Sequence, residues 1–185
     1  MSFETKIKTI EWIENKVKII DQTKLPEKFE TVEISTYKDM AFAIKNMLVR
    51  GAPAIGIAGA FGIVLAARQF SYLKEKNAFI SKIEEIGEYL VSTRPTAINL
   101  AWAVQKQINY LKSLATDNVD ELIDALTSNA LLMHKQDIQI NQQIGEYGSA
   151  IVPSGARILT HCNAGALATA GYGTALGVIR SAFKK

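Results

Sequence analysis

The chain has 185 residues, 48% of them hydrophobic and 21% charged, and its 21 Lys and Arg against 18 Asp and Glu leave a formal net charge of +3. That length holds one domain, or one domain and part of another, with enough apolar residues to bury a core, and the scattered basic residues exclude the one-signed patch that nucleic acid requires. One cysteine forms no internal disulfide and the opening MSFETKIKTI lacks the apolar stretch of a secretory leader, so a reducing, cytoplasmic setting is expected.

Residues 7–20, IKTIEWIENKVKII, alternate apolar and polar about Glu14-Asn15, which predicts a strand pair joined by a turn. A polar connection containing Pro26 follows. Thr36, three residues before Asp39 and ahead of Ala41, Ile44 and Leu48, marks the capped start of an amphipathic helix. Helices are expected over roughly 36–49, 53–70, 78–92, 95–115 and 118–150. The second holds the longest apolar run, AIGIAGAFGIVLAA at 54–67, whose 14 residues are too few to span a bilayer and read as a buried helix. Gly56, Gly59 and Gly62 inside it cost stability relative to Ala, which implies close packing of another helix or close approach of a ligand. In the fifth helix Leu122, Leu126, Ala130, Met133, Ile140, Ile144 and Tyr147 make one apolar face, and Asn118 with Glu121 caps its start. Asp137 lies on that stripe and needs a partner, structural or in a site. His134, beside Met133, is expected to be structural.

From Pro153-Ser154-Gly155 the pattern changes. Arg157–His161 reads as a short strand, followed by a glycine-containing loop and a helix from about 172 to the end, the opening of an α/β unit with a parallel sheet. A parallel strand needs neighbours and no further strand follows, so the chain is expected to be a piece of a larger protein or assembly.

VRGAPA (49–54) and TRPTA (93–97) each set an arginine shortly before a proline that opens an apolar helical run. A guanidinium beside free helix N–H donors is what a phosphate or other anion prefers; the alternative is a pair of surface or salt-bridged arginines near ordinary helix ends. GALATAGYGT (165–174) adds a third cluster of N–H groups but matches neither the Walker A nor the dinucleotide-binding pattern. Cys162, in THCNAGALATAG (160–171), is either a small buried hydrophobe or a thiolate stabilised at a strand end just before a helix. His161 would point to the opposite face of that strand, which argues against a Cys–His pair. No His, Cys, Asp or Glu group has metal-ligand spacing, and no metal is expected.

Taken in order, VRGAPAIG at 49–56, STRPTAINLAWA at 92–103 and ILTHCNAGALAT at 158–169 resemble one family, and the IEW opening and GYGTALGVIR from Gly171 extend the likeness over the whole chain. That family joins methylthioribose-1-phosphate isomerase and ribose-1,5-bisphosphate isomerase to the alpha, beta and delta regulatory subunits of translation initiation factor 2B. The resemblance implies a mostly α N-terminal domain with a small β element over 1–152, followed over 153–185 by the opening strand, loop and helix of a truncated Rossmann-like α/β domain. It implies substrate-binding Arg50, Gly51, Ala52 and Arg94, a catalytic Cys162 acting as base or transition-state stabiliser, and no cofactor. The implied reaction is an aldose-to-ketose isomerisation of a phosphorylated methylthio-sugar in methionine salvage. The family's proton-donating aspartate and Asn-Lys pair lie in its C-terminal domain, so this chain alone is expected to be inactive. Implied partners are a second copy in the full-length protein or a separate C-terminal piece, with no nucleic acid and no membrane. A non-catalytic regulatory subunit and a ribose-1,5-bisphosphate isomerase are the alternatives.

Overall fold

The computed structural model describes residues 7–185, so the first six residues of the opening segment lie outside it. Strands β1 (Ile10–Ile13) and β2 (Lys16–Ile20) form the expected antiparallel pair, with Ile13 opposite Lys16. Glu14 and Asn15 both take positive φ, 48° and 65°, the two-residue turn whose twist matches its strands. A third strand, β3 (Thr31–Ile34), pairs antiparallel with β2 inside what reads in sequence as a polar connection. Four residues of alternation beside Pro26 are too short a signal to stand without the partner strand. The sheet lays Ile10, Val17, Ile19 and Ile34 on the helices, and Trp12 stacks on Phe61 with ring centroids 5.5 Å apart.

Helix α1 (Tyr37–Lys45) starts as expected: Thr36 Oγ1 accepts from the Asp39 N–H and donates to its carboxylate. It ends four residues earlier than its apolar pattern. Met47 turns left-handed at φ 60°, and the N–H groups of Met47 and Leu48 return to the Ile44 and Ala43 carbonyls, a Schellman stop made without glycine.

Helix α2 (Ala52–Gln69) is the centre of the bundle, with Ala54 through Ala67 all buried. It is apolar and long enough to cross a membrane by length and composition alone, yet here its faces are covered by α1, α3 (Lys76–Ser92), α4 (Ile98–Ser113) and α5 (Val119–Ser149). Its glycines explain the close fit. A Cβ at Gly56 would lie 3.1 Å from the Asn99 carbonyl oxygen, and one at Gly59 would lie 2.6 Å from a Leu100 methyl. Packing, rather than ligand approach, is what these two positions serve. Residue numbers rise together along the α2–α4 contact, so both helices begin at the same end of the bundle.

Helix α4 begins three residues after Pro95, not at it. Pro95 sits inside a turn closed by the Ala97 N–H on the Arg94 carbonyl, 2.9 Å. Proline at the second position of such a turn uses its fixed φ equally well. In α5, Asn118 accepts from the Asp120 N–H, but Glu121 accepts from the Thr116 hydroxyl (2.6 Å) instead of completing a reciprocal box. Its apolar stripe divides. Leu122, Leu126, Ala130 and Met133 are buried, whereas Ile140, Ile144 and Tyr147 are 54%, 43% and 73% exposed. The side of α5 that is covered beyond Met133 carries Asn141, Gly145 and Ser149 and receives helix α6 (Ala175–Lys184), with Gly148 against Val178.

The expected strand at 157–161 does not form. Residues 157–161 are exposed and join no sheet among the described residues, because no parallel neighbour offers their backbone donors and acceptors a ladder. The final helix starts at Ala175, since Tyr172 (φ 70°) and Gly173 (φ 92°) hold a left-handed turn that a helix cannot include.

Candidate functional site

The segment after Cys162 is held on the bundle by four anchors. Ala166–Ala168 form a single 3-10 turn whose carbonyls accept from Thr9 Oγ1 (Ala166, 2.8 Å) and Gln22 Nε2 (Leu167, 2.8 Å). Gly51, the residue before α2, packs so tightly on this turn that an added Cβ would sit 2.3 Å from Ala168 Cα. Asp137 of α5 is the fourth anchor, its Oδ2 accepting from the Ala170 N–H at 2.7 Å. Within the segment the fully buried Thr169 hydroxyl accepts from the N–H groups of Gly171 (3.1 Å) and Gly173 (3.2 Å), so the donors expected to be free for an anion here are already paired.

These anchors bring the 166–170 turn to the start of α2, and α2 sets its own start beside that of α4. The three sequence motifs therefore meet at one end of the bundle. Arg50 is exposed and directly precedes Gly51, whose φ of 94° makes it the helix cap that only glycine adopts readily. Ala52 is exposed at the first helical position. Arg94 is half-buried in the turn before α4. Neither arginine has an ion pair among the described residues, so the salt-bridged alternative for them does not hold.

Cys162 is not where the strand-end reading places it. It is exposed, with φ 73°, and a helix N-terminus does not follow it: the next helical element is the single turn at 166. Its alternative as a buried hydrophobe fails equally, since the thiol faces solvent. His161 is exposed as well, and with no strand formed the opposite-face argument for it lapses. His134 is structural: its Nε2 donates to the Ile10 carbonyl (2.9 Å) and its ring lies 6.0 Å from that of Phe61.

Between the starts of α2 and α4 and the middle of α5 lies a cavity of about 170 Å³. Pro53, Ile57, Met133, Ile140 and Trp102 give it apolar walls, and Asn99, Gln136, Lys106 and Asp137 its polar groups. Arg50, Arg94 and Cys162 are not among its lining residues. Burial pushes the Asp137 carboxyl above the usual carboxylate range, with the Ala170 N–H, His134 and Asn141 pulling against that rise. Asn141, one turn along, donates to the Asp137 carbonyl (2.8 Å), while its buried Oδ1 has no hydrogen-bond partner among the described residues. Sequence reasoning flagged Asp137 as a carboxylate in need of a partner but gave no sign of Thr9, Gln22, Asn99 or Trp102. The last two stand inside the TRPTAINLAWA motif, which was their only available signal. Among the described residues no three His, Cys, Asp or Glu side chains gather as a metal site.

Residues 48–185 match the model of the initiation factor 2 subunit family. The chain is 51% identical over 178 residues to methylthioribose-1-phosphate isomerase of Petrotoga mobilis, covering 96% of this chain and 51% of that protein. It is 47% identical over 180 residues to the protein of the same name from Thermosipho melanesiensis, covering 97% and 51%. Among solved structures it is similar to 5-methylthioribose 1-phosphate isomerase from Pyrococcus horikoshii, with TM-score 0.89, 40% identity and coverage of 97% of this chain and 50% of that one. It is also similar to translation initiation factor eIF-2B subunit delta from A. fulgidus, with TM-score 0.85, 40% identity and coverage of 97% and 52%. The chain thus spans about half the length of the curated relatives it matches. With a family match that opens beside Arg50 and runs through both later motifs, the chain belongs to the initiation factor 2 subunit family.

Proposed function

We propose that these residues form the sugar-phosphate-binding half of a methylthioribose-1-phosphate isomerase of methionine salvage. What supports this reading is that Arg50 and Arg94, neither with an ion pair among the described residues, precede the starts of α2 and α4 at the same end of the bundle, where Gly51 packs on Ala168 of the segment that follows Cys162. Two guanidiniums without carboxylate partners suit a phosphate, which accepts bidentate hydrogen bonds. In such a reaction the ring C–O bond at C1 breaks as the ring oxygen takes a proton. Hydrogen then passes from C2 to C1, as a proton through an enediol or as a hydride, and the C2 hydroxyl releases its proton, balancing the one taken by the ring oxygen, to become the ketone. No net oxidation occurs, so the demand on the protein is charge stabilisation in a dry site. Cys162 is the base or stabiliser in this scheme, and the remaining acid comes from the half of the relatives that these residues do not match. Residues 1–152 then form the N-terminal domain, and 153–185 open a Rossmann-like unit in which 157–161 becomes a strand once its neighbours are supplied.

The test is calorimetric titration of methylthioribose 1-phosphate into the 185-residue chain and its Arg50→Ala and Arg94→Ala variants. Each variant should lose about 2–5 kcal/mol of binding, the cost of removing one member of a desolvated charge pair. Equal binding with both arginines gone would overturn the assignment. A regulatory role is the second reading, favoured by the likeness to the A. fulgidus protein. Turnover on adding the complementary half of the P. mobilis relative separates the two, because a regulatory subunit would bind without converting.

A further inference from the structure

Gln22 joins the two segments on which the proposed site depends. Its main-chain N–H donates to the Leu48 carbonyl (3.0 Å), two residues before Arg50, and its side-chain Nε2 donates to the Leu167 carbonyl (2.8 Å), five residues after Cys162. Although the connection around it reads in sequence as polar surface, Gln22 is buried, with 8% of it exposed. The two segments also touch directly, because Gly51 packs on Ala168 one residue beyond the carbonyl that Gln22 holds.

The neighbours of Gln22 hold its backbone in place. Asp21, also buried, donates its N–H to the Glu30 carbonyl (3.0 Å), and its carboxylate accepts from the Thr23 N–H (3.0 Å) and hydroxyl (2.6 Å). On the other side Ile20 ends β2 and donates to the Thr9 carbonyl (3.2 Å), while Thr9 Oγ1 holds Ala166 beside Leu167. Any donor would satisfy the Leu167 carbonyl. A donor whose own backbone is bonded to Leu48 does more, since it also fixes how far the Arg50 loop stands from the segment after Cys162. Groups that act on one substrate need such support, because a displacement of about 1 Å can cost about 10²-fold in rate. The chemistry also requires an amide, as a glutamate here would set a carboxylate against the Leu167 carbonyl with no donor between them.

We infer that Gln22 is a positioning residue: by bonding Leu48 through its backbone and Leu167 through its side chain, it sets the Arg50 loop and the segment that follows Cys162 at one fixed separation, so that both address the same substrate. The inference rests on the proposed sugar-phosphate function for what the two segments hold.

The experiment compares the wild-type 185-residue chain with Gln22→Met and Leu126→Ala. Methionine keeps the side-chain shape and the backbone bond to Leu48 but removes the donor to Leu167. Leu126→Ala is a destabilised control, its change lying in the buried face of α5 away from both segments. Under conditions where urea melts show each chain fully folded, calorimetry measures binding of methylthioribose 1-phosphate. Iodoacetamide alkylation of Cys162, the only thiol, is timed with and without that ligand. Wild type and Leu126→Ala should bind alike, and the ligand should slow alkylation by the same factor in both. Gln22→Met should bind roughly 2–10-fold more weakly, the fold-change of one net hydrogen bond, and lose most of the protection of Cys162. Gln22→Asn, whose amide ends one methylene short of Leu167, should fall the same way and takes the place of Gln22→Met if that variant does not fold. A purely structural glutamine would lower the urea midpoint yet leave affinity and protection at wild-type values, which would overturn the inference and leave the proposed function standing. Wild-type binding without protection of Cys162 would overturn the shared substrate and the inference with it. No wild-type binding would overturn the proposed function itself, and the inference that rests on it.

Discussion

Replacing Gly51 with alanine should be among the most damaging single-methyl changes in this chain, and its cost divides into two parts. The backbone at Gly51 holds φ 94° and ψ 134°, a region that costs a residue with a side chain about 1–3 kcal/mol. The new methyl would then lie 2.3 Å from Ala168 Cα and 2.5 Å from the Ala168 carbonyl oxygen, against backbone that no rotamer change can clear. Overpacking of that kind adds about 1–3 kcal/mol. The turn can escape only by lifting away, which breaks the Thr9 and Gln22 hydrogen bonds to Ala166 and Leu167, each worth about 0.5–1.5 kcal/mol net. Gly51→Ala should therefore lose about 2–6 kcal/mol, a large part of a domain's usual stability. Gly155→Ala is the control, since Gly155 also has positive φ, 71°, but nothing lies within 4 Å of its added Cβ. It carries the backbone part only, about 1–2 kcal/mol at most in an exposed segment. Urea unfolding followed by Trp fluorescence measures both, with amide exchange at 166–170 as the local readout. If the two variants fall within about 0.5 kcal/mol of each other, or Gly51→Ala leaves exchange at 166–170 unchanged, the claimed contact is not there.

Asp137 predicts a pH dependence of definite sign. Burial raises its carboxyl pKa, so the folded chain holds the proton more tightly than the unfolded one, and this group's contribution falls as pH rises from the ordinary carboxylate range through the raised value. The stability advantage of Asp137→Asn over wild type should accordingly widen with pH across that window and then level; a gap that narrows would refute the burial argument. Thr169→Val should cost about 1–3 kcal/mol and speed exchange at Gly171 and Gly173, whose N–H groups lose their buried acceptor, whereas Thr169→Ser should behave as wild type. Leu126→Ala should cost about 2–5 kcal/mol while Ile144→Ala, on the exposed part of the same stripe, should stay within about 0.5 kcal/mol in denaturant melts. Equal costs would mean that the division of the α5 stripe is wrong.

Local chemistry made much of this legible before any coordinates. The Thr36–Asp39 cap, the Glu14-Asn15 turn and the helical periodicities each depend on residues within one or two turns of one another, so the sequence carries them whole. The arginine motifs were visible for the same reason, because a guanidinium just before a helix start is a local arrangement. Helix ends were read less well where a residue other than glycine takes a left-handed backbone, as Met47 and Tyr172 do, since nothing in their side chains announces it.

What the sequence by itself determined is the inventory: six amphipathic or apolar helices, a hairpin, two arginines before helix starts, one thiol and one carboxylate on an apolar stripe. Only the tertiary structure decided which of these meet. Gly51 against Ala168, Gly56 against Asn99 and Asp137 against Ala170 join residues 33 or more positions apart, and such contacts follow from how faces pack rather than from any local preference. The same physics left 157–161 without a ladder and half of the α5 stripe in solvent, because β-propensity and apolar periodicity become a strand or a core only when another surface is there to complete them.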